Sequence, residues 1–113
     1  MRRTLALSLV AALALAAGCG TVPPASTAQR ARVHVTLYTT RWCPVCVRAR
    51  DWLHDRGVRY QEHDVERDPH AALAHRRLNP SRTVPTADVE GTVLVGFVAE
   101  EWRSAIDSAA HRH

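Results

Sequence analysis

The sequence predicts an α/β fold in which a mixed four-stranded sheet carries helices on both faces. Three observations lead to this prediction. Short β-branched segments alternate with amphipathic helical segments. A helix separates the first two strands, which makes them parallel, and a Glu90-Gly91 turn joins the last two, which makes them antiparallel. The order is β-α-β-α-β-β-α, and the 113 residues have room for one small domain of this kind.

The first half of the domain is predicted to be strand, helix and strand. Residues 33–39 alternate apolar with polar side chains and are rich in β-branched types, as in a strand. Pro44 takes the first position of the next helix, where its missing N–H costs nothing, and Gly57 ends that helix. Residues 58–65 form the second strand, which is expected to be parallel to the first.

The second half begins with another helix. Asp68 caps it and Pro69 opens its first turn, while Pro80 stops it after Asn79. The third strand, residues 84–90, has a proline as its second residue, where a strand start tolerates one.

The fourth strand and the last helix complete the domain. Residues 92–95 return antiparallel to the third strand. A helix from about residue 99 to residue 109 carries apolar side chains at helical spacing, so Trp102 is predicted to be a packing residue.

The N-terminus has the pattern of an export signal. Two arginines precede an apolar run that is too short for a mature membrane-spanning helix, which takes about 20 residues. The run ends in Ala-Ala-Gly before Cys19, which resembles the lipobox of bacterial lipoproteins. Residues 1–18 are therefore predicted to be a signal peptide and Cys19 to be lipidated, giving a membrane-anchored protein that faces the periplasm or cell exterior. The alternative is ordinary cleavage after Ala16, which would leave a soluble secreted or periplasmic protein.

Two flanking segments are predicted to carry no fixed structure. Residues 19–32 are rich in small residues and proline, which indicates a flexible tether reaching up to roughly 40 Å. Residues 111–113 are expected to be a frayed tail, so the domain covers residues 33–110.

The charge pattern does not indicate a nucleic-acid partner. The net charge is +4, but five of the fifteen basic residues, all arginines, lie outside residues 33–110. The domain is therefore near neutral and lacks a clustered basic face. The seven histidines are scattered, so surface or tail positions are predicted for them and no metal site. A monomer is expected.

The chemistry of the chain centres on Cys43-Pro44-Val45-Cys46. Two thiols separated by two residues can close into a disulfide, and a helix N-terminus favours the thiolate of the first. Cys46, inside the helix, is predicted to be buried. A zinc site would need about four ligands, and no second Cys-x-x-Cys follows. A structural disulfide across so short a loop would stabilise little. Copper carriage stays open as a second class of function, because two thiolates suit Cu(I).

These elements resemble a glutaredoxin with the thioredoxin-like fold. Three motifs carry the similarity. They are, in order, Tyr38-Thr39 followed by Cys43-Pro44-Val45-Cys46, then Arg82-Thr83-Val84-Pro85, and then the glycine-containing hairpin and turn from Gly91 to Gly96. The resemblance implies a thiol–disulfide oxidoreductase with a role in cell redox homeostasis, and iron–sulfur cluster binding, known for some members of the family, is an alternative that it adds. It also implies that Cys43 is the nucleophile, that Cys46 is the resolving thiol and that Pro85 is cis.

The resemblance further implies a thiol-binding surface around Cys43. The Val84 backbone would pair with a bound thiol peptide as an added strand edge. The implied contact residues are Arg41, Trp42, Pro44, Thr83, Val84, Pro85 and Gly96.

Two positions depart from the pattern of the family. A lysine usually stands three residues before the nucleophile, where this chain has Thr40. The polar pair that usually follows the last strand is replaced by Phe97-Val98. Protein disulfides and thiols are therefore the expected partners in preference to glutathione, which stays a candidate reductant, and no cofactor is expected to be required.

Overall fold

The computed structural model describes residues 21–113, so the predicted signal peptide and Cys19 lie outside the described residues. The helices of this part are α1 (Thr27–Arg30), α2 (Pro44–Asp55), α3 (Pro69–Leu78) and α4 (Ala99–Ala110). Its strands are β1 (Val35–Thr39), β2 (Tyr60–Asp64), β3 (Thr86–Val89) and β4 (Thr92–Val95). Within residues 21–113, none of the helices has the length and apolar character needed to cross a membrane.

The strands form a mixed sheet in the order β2-β1-β3-β4. β1 pairs in parallel with β2 and antiparallel with β3, and β3 pairs antiparallel with β4. The predicted order of elements from β1 to α4 is confirmed. Three strands begin two residues later than predicted, at Val35, Tyr60 and Thr86, because the pairing with their neighbours starts there.

The main core lies between the sheet and helices α2 and α4. Leu37 from β1, Leu53 from α2 and Ile106 from α4 are buried together there. Trp102 is fully buried, as predicted, and its indole Nε1 donates to the Gly96 carbonyl at 3.0 Å. Helix α3 covers the opposite face, where Tyr38 of β1 is buried.

Gly57 ends α2 as predicted. Its φ of 68° lies in the left-handed region, which glycine adopts without a steric penalty. Its N–H donates to the His54 carbonyl, and the Val58 N–H donates to the Leu53 carbonyl, both at 3.0 Å. These two bonds satisfy carbonyls that the helix end would leave unpaired.

The prediction of surface or tail positions for the histidines is wrong at His75, which is only 2% exposed. His75 lies one turn after Ala71 on α3, and both side chains face the sheet. The imidazole stacks on Tyr38 with ring centroids 5.6 Å apart. Its Nε2 lies within 3.1 Å of two oxygens, which satisfies a polar group in the core.

The flexible tether predicted for residues 19–32 is wrong in its last part. Ala25 is buried in the core, and α1 follows it directly. Ser26 and Gln29 form a reciprocal capping box at the start of α1. Arg30 donates from Nε to the buried carboxylate of Asp107 on α4 at 3.0 Å. The chain therefore joins the folded domain by Ala25.

The last three residues also make contacts where a frayed tail was predicted. The His111 ring donates from Nε2 to the Pro23 carbonyl at 2.9 Å. The His113 Nε2 lies 2.8 Å from the Glu90 carboxylate. Both ends of the described chain thus pack against the domain.

Candidate active site

Cys43 and Cys46 are joined by a disulfide at the start of α2, with Cα atoms 5.2 Å apart. Cys43 is the N-cap, with extended backbone at φ −85° and ψ 107°, and Pro44 occupies the first turn. The Cys43 Sγ accepts the Cys46 N–H at 3.1 Å. An N–H donor and the positive end of the helix dipole both face this sulfur, so they stabilise negative charge on it.

The two cysteines differ in their access to solvent. Cys46 is fully buried inside the first turn of α2, which confirms the burial predicted for it. Cys43 is 4% exposed, and it lines an open cleft of about 430 Å³. A substrate approaching through this cleft reaches Cys43 first.

The opposite wall of the cleft is the segment that leads into β3. Thr83 and Val84 line this wall, and the Val84 carbonyl oxygen lies 3.9 Å from the Cys43 Sγ. The Val84-Pro85 peptide bond is cis, as the resemblance implied. Pro85 is buried behind the wall, and its carbonyl accepts the Gly96 N–H at 2.8 Å.

The structure brings most of the sequence-predicted contact residues together. Trp42, Pro44, Thr83 and Val84 line the cleft with Cys43, while Pro85 and Gly96 support its wall. Arg41 is exposed and is not part of the cleft lining.

Trp42 presents a large apolar surface to solvent at the mouth of the cleft. Its side chain is 67% exposed, and its indole Nε1 donates to the Glu66 carboxylate at 2.9 Å. Glu66 is held in turn, because its N–H donates to the Asp64 carboxylate at 2.9 Å. An exposed indole that is already oriented by a hydrogen bond is suited to contact a partner at low entropic cost.

Sequence reasoning missed two charged residues of the cleft, Glu66 and Arg82. Arg82 is the first residue of the Arg82-Thr83-Val84-Pro85 motif, so the motif was a sequence signal for it, although it was not among the predicted contact residues. Its φ of 58° is in the left-handed region, and its side chain is exposed. Glu66 lies in the loop after β2, and nothing in the sequence connects it with Trp42.

Thr40 is a neutral side chain at the inner end of the cleft. It is 4% exposed, and its Oγ1 makes no hydrogen bond to any other part of the chain that the structure describes. Val98 lies at the second position that differs from the family pattern. It is the N-cap of α4, makes no side-chain capping bond and is half exposed. Position 40 therefore has a hydroxyl but no charged group for a carboxylate, and position 98 has no polar side-chain atom for a carboxylate or an amine.

No cluster of three or more His, Cys, Asp or Glu side chains suited to a metal ion lies within residues 21–113.

Comparison with known proteins gives one family. The glutaredoxin family model matches residues 35–94, from β1 to Leu94 in β4. A glutaredoxin of Pseudomonas aeruginosa is 41% identical over 51 residues, which cover 45% of this chain and 61% of that relative. The match thus spans less than two thirds of the length of that relative. A putative glutaredoxin of Mycobacterium tuberculosis is 34% identical over 74 residues, or 64% of this chain and 88% of the relative.

One of the similar solved structures matches this chain over nearly its own full length. It is the NrdH-redoxin of Escherichia coli, whose structure is described as the basis for the thioredoxin-like activity profile of a glutaredoxin-like protein. The similarity covers 71% of this chain and 95% of that one, with 25% identity and a TM-score of 0.53.

Proposed function

Because the chain belongs to the glutaredoxin family, we propose that it uses its Cys43–Cys46 pair to exchange with the disulfides and thiols of proteins in preference to glutathione. The fold is thioredoxin-like, as predicted, and the chain is a glutaredoxin-like thiol oxidoreductase. The observation that carries the preference for proteins is the composition of the cleft beside Cys43. It offers an exposed indole and a backbone edge, and it has a neutral side chain at position 40.

The exchange proceeds by two thiolate displacements. The Cys43 thiolate attacks one sulfur of the substrate disulfide, so a Cys43–substrate bond forms and the substrate bond breaks. The leaving thiolate takes up a proton. Cys46 then loses its proton and attacks the Cys43 sulfur, which forms the Cys43–Cys46 disulfide and releases the second substrate thiol. Two electrons pass to the substrate, and a dithiol protein or glutathione returns the pair to its reduced form.

The geometry around Cys43 supports a peptide substrate. A segment entering the cleft in extended form would meet the Val84 backbone, 3.9 Å from the Cys43 sulfur, and could pair with it as an added strand. Side chains flanking the substrate cysteine would lie against Trp42. The NrdH-redoxin of E. coli, with its thioredoxin-like activity profile, supports the same substrate class.

Glutathione would find fewer charge-assisted bonds in this cleft. Its two terminal carboxylates and its amine are best held by charged or hydrogen-bonding groups. Thr40 supplies a hydroxyl in place of an ammonium, and Val98 supplies no polar atom at the start of α4. Arg82 is a cation that lines the cleft. It can pair with an acidic side chain of a protein as well as with a carboxylate of glutathione.

The test compares the two substrate classes on one protein. A chain beginning at Thr21, which keeps Ala25 and α1, is assayed for reduction of a peptide disulfide and of a glutathionylated peptide. Dithiothreitol, glutathione and a thioredoxin-type dithiol protein serve as donors. We expect faster turnover of the peptide disulfide with the dithiol protein. Faster turnover of the glutathionylated peptide with glutathione would contradict the preference.

Thr40→Lys is the matched variant for this comparison. It places an ammonium at the inner end of the cleft and leaves Cys43 and Trp42 in place. We expect it to raise the activity with glutathione and to leave the activity with the peptide disulfide within twofold.

Export and lipidation at Cys19 are proposed from the sequence. The fold shortens the tether that the sequence predicted, because Ala25 is buried in the core and the Pro23 carbonyl accepts the His111 ring N–H at 2.9 Å. The four residues from Cys19 to Pro23 reach roughly 14 Å when extended. An anchor at Cys19 would therefore hold the domain close to the membrane surface.

The location is tested by following the full chain in a bacterial host. We expect the wild type to incorporate a labelled fatty acid and to sediment with membranes, and Cys19→Ala to do neither. A wild-type protein that is exported without label would support the soluble alternative.

A further inference from the structure

The wall that faces Cys43 is held from behind by a buried polar cluster. We call it the Thr83 cluster: the side chains of His75, Asn79 and Thr86 around the Thr83 carbonyl oxygen. The His75 Nε2 lies 3.0 Å from this oxygen, the Asn79 Nδ2 3.2 Å and the Thr86 Oγ1 2.8 Å. Two elements, α3 and β3, thus fix one peptide group of the loop between them.

The roles of the groups follow from the chemistry of a carbonyl oxygen, which can only accept. Thr86 therefore donates its hydroxyl proton, Asn79 donates from its amide nitrogen, and His75 must carry its proton on Nε2. Asn79 also donates to the Thr86 Oγ1 at 3.0 Å and to the Thr83 Oγ1 at 3.1 Å. The donors converge on Thr83 from one side, so they leave its peptide group little freedom to move.

Burial makes these bonds costly to break. His75 is 2% exposed, Asn79 is 4% exposed and Thr86 is fully buried. A buried polar group that loses its partner also loses the hydration it had in the unfolded chain. Breaking the hydrogen bonds of the cluster therefore costs free energy, and this cost keeps the cluster rigid.

The cluster acts within the wall that faces Cys43, because Thr83 and Val84 both line it. The carbonyl it holds belongs to Thr83, and the next carbonyl, that of Val84, lies 3.9 Å from the Cys43 sulfur. A rotation of the Thr83 peptide would move Val84 relative to Cys43. On the other side of the ring, His75 stacks on Tyr38 of β1, the strand that leads to Cys43. The His75 ring thus contacts both the loop that carries Val84 and the strand that precedes Cys43.

We propose that His75 and Asn79 are positioning residues, which fix the Val84 backbone so that an extended peptide disulfide can pair with it while Cys43 attacks. This inference rests on the proposed function, because it concerns the peptide substrates of the same site. It predicts that the cluster matters for substrates with a peptide backbone and does not matter for a small disulfide that makes no such pairing.

The test uses His75→Phe, His75→Gln and Asn79→Ala. Phenylalanine keeps a ring against Tyr38 but cannot donate, whereas glutamine can place an amide donor near the position of Nε2. Each variant is assayed with a peptide disulfide and with hydroxyethyl disulfide. We expect the KM for the peptide to rise five- to tenfold in His75→Phe and Asn79→Ala, with kcat within twofold of wild type. His75→Gln should stay within twofold in KM, and hydroxyethyl disulfide should react equally well with all of them.

Two outcomes would overturn the inference. One is an unchanged KM for the peptide in His75→Phe at a temperature where the variant is folded, even if its Tm has fallen. The other is an equal loss with both substrates, which would indicate general destabilisation. If the wild type reduces neither substrate, the proposed function fails separately. In that case the amide chemical shift of Val84 tests the positioning role without turnover. We expect this shift to change in His75→Phe and to return to the wild-type value in His75→Gln. An unchanged shift in His75→Phe would refute the positioning role.

Discussion

The Sγ atom of Cys43 lies 3.9 Å from the carbonyl oxygen of Val84, although the two residues belong to segments on different sides of the cleft. Cys43 is held there by its capping position on α2, and Val84 by the hydrogen bonds that the buried side chains of His75 and Asn79 make to the neighbouring Thr83 carbonyl. The sulfur proposed as nucleophile and the backbone edge proposed to bind the substrate therefore occupy one site, and each can be tested separately.

Cys43→Ser should abolish turnover, whereas Cys46→Ser should allow the first displacement and stop at the second. Cys43 lines the cleft, and Cys46 is fully buried beneath it. We expect Cys46→Ser to accumulate a mixed disulfide with a peptide substrate, seen as an added mass at Cys43 by mass spectrometry.

Selective alkylation of the reduced wild type is the control for this assignment. Iodoacetamide should modify Cys43 before Cys46, because only Cys43 opens to the cleft. Turnover that survives Cys43→Ser, or a trapped adduct on Cys46, would reverse the roles.

Trp42→Ala should weaken the recognition of protein substrates. The indole is 67% exposed at the mouth of the cleft and would be covered by a partner. Loss of such an aromatic contact costs about 1 kcal/mol or more, roughly a fivefold rise in KM. Steady-state kinetics with a protein disulfide measures this rise.

Trp42→Phe separates the ring from its hydrogen bond to Glu66. It should recover most of the KM if the apolar surface provides the contact. A KM for Trp42→Ala equal to that of the wild type would exclude Trp42 from the substrate surface.

The sequence was sufficient for the elements whose signals are local. Pro44 and Asp68 predicted the starts of α2 and α3, and the spacing of apolar residues predicted α4 and the burial of Trp102. The Cys-x-x-Cys pair likewise lies at a helix start, where the sequence placed it.

The rest depended on contacts between distant parts of the chain. His75 could not be recognised as buried, because its partners are 8 and 11 residues away and become available only when α3 packs on the sheet. The segment around Ala25 and Arg30 has no apolar periodicity that would predict a helix. The bond that holds α1 runs from Arg30 to Asp107, which lies 77 residues later in the chain. The Ser26 capping box was the one local signal for α1.

Tyr38 should make stability depend on pH in the alkaline range. Burial, and then the charge of Asp88, raise the pKa of Tyr38 above its ordinary value of 10.0. The folded state therefore keeps this proton at a pH where the unfolded chain has lost it. The stabilisation is fully present below pH 10 and is lost as the pH rises through the folded-state pKa. Urea unfolding of the oxidised protein from pH 8 to pH 11.5 measures the loss.

Tyr38→Phe is the control, since phenylalanine keeps the ring against His75 and has no proton to lose. The variant should lose less unfolding free energy than the wild type over the same pH range. Phenolate absorbance near 295 nm gives a second readout. Tyr60, the other tyrosine, also has a pKa raised first by burial, so both should titrate above pH 10. A wild-type midpoint at or below pH 10 would contradict the prediction.

Arg30→Ala should destabilise the domain even though Arg30 precedes the matched family region. Its guanidinium bonds the Asp107 carboxylate at 3.0 Å, and that side chain is fully buried, with Arg103 as its other cationic partner at 3.3 Å. Removing one partner leaves a buried charge half satisfied, which costs about 1–3 kcal/mol. Chemical unfolding measures the cost against Arg32→Ala, an exposed arginine two residues later. Equal stability of the two variants would mean that the Arg30–Asp107 ion pair adds nothing to the fold. In the expected case, a truncation that begins at Ala31 is less stable than one that begins at Thr21, because it also removes Ala25 from the core.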